Sequence, residues 1–238
     1  MCPLEELNKI IIKNVSGYGD KRVAIIFSGG LDSTILVSAI KYLGYEPIPI
    51  TFNDNSYTYL EKEKVAISNV LNELGMSGKA IELPFMNRMN FMLQDKIGFN
   101  PGLKMLMQVM AMSYCSANSI SEIYMGYLKE DVPYCDEKIE SIKKTQNCFN
   151  EIYEGDTIHI IGYRKEPTVR APWINFTKHD ILKIAEQVKA PLHFTHSCKE
   201  KRMPGLVHCG NCRGCNARKT AFKEANMEDN ILFWGKEC

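Results

Sequence analysis

Apolar positions in this chain fall into short runs and stripes that alternate in period. Leu4, Leu7, Ile11 and Val15 form one helical stripe over residues 3–15. Val23-Ala24-Ile25-Ile26-Phe27 is a β-branched apolar run of strand length. Ile35, Leu36, Ala39, Ile40 and Leu43 then recur at helical spacing, and Gly44 supplies a stop. Residues 45–52 predict a second strand, which Pro47 and Pro49 place at a strand end or a sheet edge. A helix over 60–74 stops at Gly75, and residues 79–83 predict a third strand. Residues 103–117 predict a helix with Leu103, Leu106, Met107, Met110 and Tyr114 inward. A fourth strand over 122–126, a helix over 139–153 and a fifth strand over 157–161 follow. Thr177 and Asp180 then open a helix over 181–188 with a capping box. Met86, Met89 and Met92, between the third strand and the next helix, are core filler or a wall for a flat aromatic ligand.

Strands alternating with helices imply right-handed crossovers and a doubly wound parallel sheet with helices on both faces. Ligands of such sheets lie outside the carboxyl ends of the strands. The loops after Phe27, Phe52 and Gly126 are therefore expected to share one crevice.

The first of these loops carries the chemistry. Ser28-Gly29-Gly30-Leu31-Asp32-Ser33-Thr34 joins strand to helix. Two glycines let the backbone bend and approach a ligand, and the helix start offers unpaired N–H groups. With the hydroxyls of Ser28, Ser33 and Thr34 this makes a phosphate cradle. It is not the Walker pattern, because no Gly-Lys-Ser/Thr follows. The hexapeptide Ser-Gly-Gly-Leu-Asp-Ser resembles the PP-loop of the ATP pyrophosphatase family. That resemblance implies cleavage of ATP between its α- and β-phosphates, with AMP transferred to a substrate.

At 238 residues, 45% hydrophobic and 24% charged, the composition is that of a globular protein able to bury a core. A net charge of +1 provides no global field for nucleic acid, which is not expected as a partner. No apolar run is long enough to span a bilayer, and the first residues show no basic-then-apolar leader, so cytoplasm is the expected location.

The chain has nine cysteines, an odd number, which argues against a complete disulfide framework. Cys2, Cys115, Cys135, Cys148 and Cys238 are scattered, whereas Cys198, Cys209, Cys212 and Cys215 gather late. Two overlapping C-x2-C steps let the chain wrap one ion, with Cys198 returning as fourth ligand across residues 199–208. Four thiolates make a closed structural Zn²⁺ site, although an iron–sulfur cluster uses the same ligands. Lys199, Lys201, Arg202, Arg213, Arg218 and Lys219 surround the cluster. They balance its negative charge, or else they contact ATP phosphates or RNA.

The PP-loop with a terminal four-cysteine site is similar to the 7-cyano-7-deazaguanine synthase family. Besides residues 27–34, the likeness is carried by Arg170-Ala171-Pro172-Trp173 through Lys178-His179-Asp180-Ile181 to Thr195-His196-Ser197-Cys198. Cys209-Gly210-Asn211-Cys212-Arg213-Gly214-Cys215-Asn216-Ala217-Arg218 completes it. The resemblance implies an adenine nucleotide alpha hydrolase-like, Rossmann-like fold, with an ATP-binding part over 1–190 and a zinc-binding region over 191–238. It implies ATP, Mg²⁺ and Zn²⁺ as cofactors, and a deazaguanine carboxylate and ammonia as substrates. A homodimer is compatible with it. Ser28, Asp32, Ser33 and Lys178 are the expected catalytic residues. Phe27, Ser28, Gly29, Gly30, Leu31, Asp32, Ser33, Thr34 and Phe52 are expected around the nucleotide. Phe99, Lys104, Gly126, Asp131 and Asp136 are expected around the substrate. The chain departs from the family pattern where substrate is read: Pro101-Gly102-Leu103-Lys104 stands where the family has Pro-Gly-Arg-Asn. A paralogue that stops at the amide or takes another carboxylate, a PP-loop tRNA thiolase and a non-catalytic zinc scaffold remain alternatives.

Overall fold

A computed structural model describes residues 2–15, 21–53, 60–77, 80–84, 102–131, 139–157, 166–200 and 203–234. Among the described residues five strands make one parallel sheet: β1 (Arg22–Ile26), β2 (Glu46–Asn53), β3 (Ile81–Pro84), β4 (Glu122–Met125) and β5 (Thr168–Arg170), ordered β3-β2-β1-β4-β5. The helices are α1 (Pro3–Val15), α2 (Leu31–Tyr42), α3 (Leu60–Glu73), α4 (Leu103–Ala117), α5 (Ile139–Thr157), α6 (Lys178–Leu182) and α7 (Arg213–Glu224). Single 3₁₀ turns occupy Lys129–Asp131 and Leu192–Phe194.

Each strand of a covered parallel sheet divides its side chains between two cores. Val23, Ile25 and Phe27 face a core shared with α1, α2, α3, Trp173, α6 and α7. Ala24 faces the other, with Ala111, Met112 and Cys115 of α4 and Ile142 of α5. Helix α2 is buried from Leu31 to Ile40 except at Asp32, because it is covered by neighbours all round.

Three expectations need correction. Strand β2 lies between β1 and β3 rather than at an edge. Ile50 turns its backbone toward β1, where its carbonyl accepts from Phe27 N–H, so Pro47 and Pro49 face the other way. On that side β3 pairs only from Ile50 onward, and the missing proline N–H groups break no ladder. The inward face of α4 is Gln108, Ala111, Met112 and Cys115, while Leu106 is exposed. Gln108 is drawn inside because its Nε2 donates to the Ile142 carbonyl at 2.9 Å, which a hydrophobic stripe does not reveal. Thr157 closes helix α5 instead of starting a strand; residues 158–161 lie outside the described residues. Among the described residues the fifth strand is the short Thr168–Arg170.

Arg170 Nε donates to Glu122 Oε2 at 2.6 Å, and the Glu122 side chain is 1% exposed. Glu122→Ala is expected to cost about 2 kcal/mol, by removing a buried carboxylate and the hydrogen bonds it accepts from Arg170. Urea unfolding measures this; a loss under about 0.5 kcal/mol, the range of a neutral surface change, would show the pair to be dispensable.

Candidate functional site

In the strand order the connections run outward in opposite directions from β1 and β4. Their carboxyl ends flank the switch point where such sheets form a crevice. The phosphate turn after β1 sits there. Gly29 has φ +67°, and a Cβ on it would lie 2.9 Å from the Ile67 backbone nitrogen, so helix α3 packs directly on the turn. Ser33 Oγ lies 3.4 Å from Ser28 Oγ, accepts from the Ser28 N–H at 3.4 Å and donates to the Gly30 carbonyl at 3.3 Å. Gly30 caps α2 without a side-chain hydrogen bond, leaving the helix start open to an anion. Gly126, at the end of β4, lies across from this start; a Cβ on it would be 3.4 Å from Ser33 N.

Phe27, Leu31 and Thr34 shape the turn from beneath, being 2%, 2% and 0% exposed. The Thr34 hydroxyl faces the core, with no hydrogen-bond partner among the described residues, so it is not a donor at the surface of the cradle. Phe52 is partly buried at the end of β2, packed on the second core.

Lys178 comes to this turn from far along the chain. Its Nζ donates to Asp32 Oδ1 at 2.7 Å and Oδ2 at 2.6 Å. Lys178 is the first residue of α6, whose N-cap Thr177 and Asp180 form the expected capping box. The helix therefore starts at Lys178, three residues earlier than expected. It gives way after Leu182 to tighter turns, with Ile184 and Ala185 N–H donating to the Ile181 and Leu182 carbonyls.

A second clamp comes from the loop after β4. Lys129 N–H donates to the Phe176 carbonyl and Lys178 N–H to Glu130 Oε1, both at 2.9 Å. Glu130 thus holds the backbone of Lys178, a role that nothing in the local sequence signals. Asp131 Oδ2 accepts from Leu128 N–H at 2.9 Å. Burial pushes the Asp131 carboxyl up, and the neighbouring Asp32 adds to this, against the Leu128 N–H and Lys178. Asp32, Asp131 and Lys178 therefore form one charge cluster.

Lys104, at the start of α4, sits 5.9 Å from the centroid of the Tyr127 ring. Glu63 joins the site without any signal in the local sequence. Burial pushes its carboxyl up, while Lys199 and Lys104 pull it back. It lies one helical turn before Ala66 and Ile67, the residues that pack on Gly29. Phe99 and Asp136 lie outside the described residues, as do Met86, Met89, Met92, Lys201 and Arg202.

The four expected cysteines do converge. The sulfurs of Cys198, Cys209, Cys212 and Cys215 all lie within 4.8 Å of one another. Cys212–Cys215 measures 3.5 Å, Cys209–Cys215 3.9 Å and Cys198–Cys212 4.0 Å. Four sulfurs at 2.3 Å around a tetrahedral centre would be about 3.8 Å apart, so the set fits one thiolate-bound ion. Backbone N–H groups of Lys199, Glu200, Cys209 and Cys212 point at these sulfurs at 3.3–3.4 Å, as donors to thiolates do. His208 is not a ligand candidate: its Nδ1 faces the Leu206 carbonyl and its Nε2 accepts from Ser197 N–H. Burial lowers both His196 and His208 to about 4, so both are neutral. Arg218 is not a surface counter-charge either. It is 1% exposed and bonded to Asp229 through Nε at 2.8 Å and Nη2 at 2.9 Å.

No helix among the described residues is long and apolar enough to cross a membrane. Among solved structures, the chain is similar to the NMN synthetase from Francisella tularensis, with TM-score 0.51, 10% identity, and 95% of this chain and 86% of that one covered. It is also similar to the U34-tRNA thiolase NcsA from Methanococcus maripaludis with its [4Fe-4S] cluster, with TM-score 0.50, 15% identity, and 94% and 74% covered. At such identities these likenesses show the fold alone. Sequence relatives say more. The 7-cyano-7-deazaguanine synthase of Nautilia profundicola is 27% identical over 232 residues, covering 90% of this chain and 98% of the relative. Those of Oceanobacillus iheyensis and Methanocaldococcus jannaschii are 29% and 26% identical, covering 90% and 87% of this chain and 98% and 97% of the relatives. The sequence profile of the family described as queuosine biosynthesis protein QueC matches residues 22–226, from the first strand through the cysteine cluster, and the chain belongs to that family.

Proposed function

We propose that this protein is an ATP-dependent carbon–nitrogen ligase that converts 7-carboxy-7-deazaguanine and ammonia to 7-cyano-7-deazaguanine. The observation that carries the reading is the Lys178 ammonium on both oxygens of Asp32, at the mouth of a PP-loop, in a chain matched by the QueC family over residues 22–226.

The substrate carboxylate attacks the α-phosphorus of ATP, pyrophosphate leaves, and an acyl adenylate forms. Ammonia displaces AMP to give the amide. The amide oxygen attacks the α-phosphorus of a second ATP, pyrophosphate and one N–H proton leave, and loss of AMP with the last N–H proton gives the nitrile. In this scheme Ser28, Ser33 and the open start of α2 hold the phosphates. Lys178 moves from Asp32 onto the oxygens where negative charge develops. Asp32 and Asp131 would hold Mg²⁺ through hard carboxylate oxygens, and a bound Mg²⁺ would neutralise charge on the departing pyrophosphate. Gly126 keeps the floor of the crevice open. In this reading Lys104, Asp131 and Glu63 contact the substrate, together with Phe99 and Asp136, which lie outside the described residues. Lysine at 104 offers a point charge to a carboxylate, not a bidentate fork. Cys198, Cys209, Cys212 and Cys215 would hold Zn²⁺, closed to substrate and structural in effect. Residues 1–190 then form the ATP-binding part and 191–238 the zinc region packed on it.

The test is mass spectrometry of products after incubation with ATP, Mg²⁺, ammonium and 7-carboxy-7-deazaguanine. AMP, pyrophosphate and the nitrile are expected. ADP and phosphate would sink the PP-loop chemistry, and AMP with only the amide would make this a paralogue that stops halfway.

A further inference from the structure

The phosphate turn is held from behind by the cysteine region. His196 N–H donates to the Gly29 carbonyl at 3.0 Å, the one glycine of the turn with a left-handed backbone. The His196 carbonyl in turn lies 3.7 Å from where a Cβ on Gly30 would be. On one side of His196, Thr195 is pinned: its Oγ1 accepts from Arg218 Nη1 at 2.6 Å and donates to the Leu192 carbonyl at 2.6 Å. On the other side, Ser197 N–H donates to His208 Nε2. Helix α7 presses on Ser197 so closely that a Cβ on Gly214 would fall 2.0 Å from the Ser197 carbonyl oxygen. Arg218 Nη2 also donates to the Leu192 carbonyl at 3.0 Å, so a single guanidinium ties α7, the Leu192 turn and Asp229 together. Arg218 lies one turn along α7 from the candidate ligand Cys215, and Cys198 follows His196 by two residues.

We infer that Arg218 and Asp229 are positioning residues for the phosphate turn, holding Thr195–Ser197 as a rail that sets the Gly29 carbonyl. The inference rests on the reading that this turn takes the phosphates of ATP. A left-handed glycine has several backbone alternatives of similar energy, and an external hydrogen bond selects the one that directs the next amides to a phosphate. Lysine at 218 would keep the charge but lose the fork that reaches Asp229, Thr195 and Leu192 at once.

The experiment is calorimetry of a non-hydrolysable ATP analogue with Arg218→Lys, alongside metal stoichiometry and thermal unfolding of the same samples. About tenfold weaker analogue binding is expected in folded protein that still carries one metal per chain. Wild-type affinity in a variant that has only lost thermal stability would overturn the inference, because a merely structural role does not move affinity in the folded fraction. Should Arg218→Lys not fold, Thr195→Val removes only the hydroxyl link at nearly constant shape, and the same outcomes apply. A wild-type protein that binds no analogue would overturn the ATP reading itself, and this inference with it.

Discussion

Lys178→Met is expected to lower AMP formation at least about a hundredfold while the protein stays folded. The side chain packs no core; its ammonium lies over Asp32, with both side chains about one-fifth to one-quarter exposed. Its backbone is fixed independently, by the Thr177–Asp180 capping box and by Glu130. Removing the ammonium takes away a cation poised over the phosphate turn. It also leaves Asp32 and Asp131 as neighbouring carboxylates that repel a polyphosphate. The two effects separate when the single variant is assayed at saturating ATP. If Lys178 only neutralises Asp32, the loss lies in ATP affinity and saturating ATP restores the rate. If Lys178 stabilises charge on the reacting phosphate, the rate stays low at saturating ATP. Wild-type turnover in the single variant would show the pair to be a structural clamp with no part in the chemistry.

Loss of the metal is expected to have the largest effect on stability. Cys212→Ala should abolish stoichiometric metal binding and lower Tm by about 10 °C or more. Cys198, Cys215 and Phe233 make a small cluster of their own, and the connections around it are turns and single bridges. The loss would travel inward, because Ala221 and Phe222 of α7 belong to the core that also contains Ile35 and Leu36 of α2. Metal analysis with calorimetric unfolding checks this. A folded variant without metal and with unchanged Tm would refute a structural site, and iron in the wild-type protein would refute zinc.

Features that depend on neighbours along the chain are legible in the sequence. The phosphate turn is a run of seven residues whose glycines and hydroxyls have direct chemical meaning. The C-x2-C steps bring sulfurs together through tight local turns, and the Thr177–Asp180 box spans one turn of helix. Helices α1 and α4 keep the bounds that their periodicity predicts, because helical period is a local property. The same period misjudges the inward face of α4, since a buried glutamine with a carbonyl partner looks polar in sequence.

What the tertiary structure alone decided is which distant segments meet. Asp32 and Lys178 are 146 positions apart, Glu130 and Lys178 are 48, and Arg218 and Thr195 are 23. A crossover connection can place its following strand on either side of those before it, and hydrophobic period does not say which. That choice put β2 inside the sheet despite its prolines and β4 beside β1. It set the switch point beside the phosphate turn and brought the cysteine region behind that turn. Residue types thus determined what chemistry was available, and the order of strands determined which of those residues act on one another, because contact across a sheet is a property of topology and not of spacing along the chain.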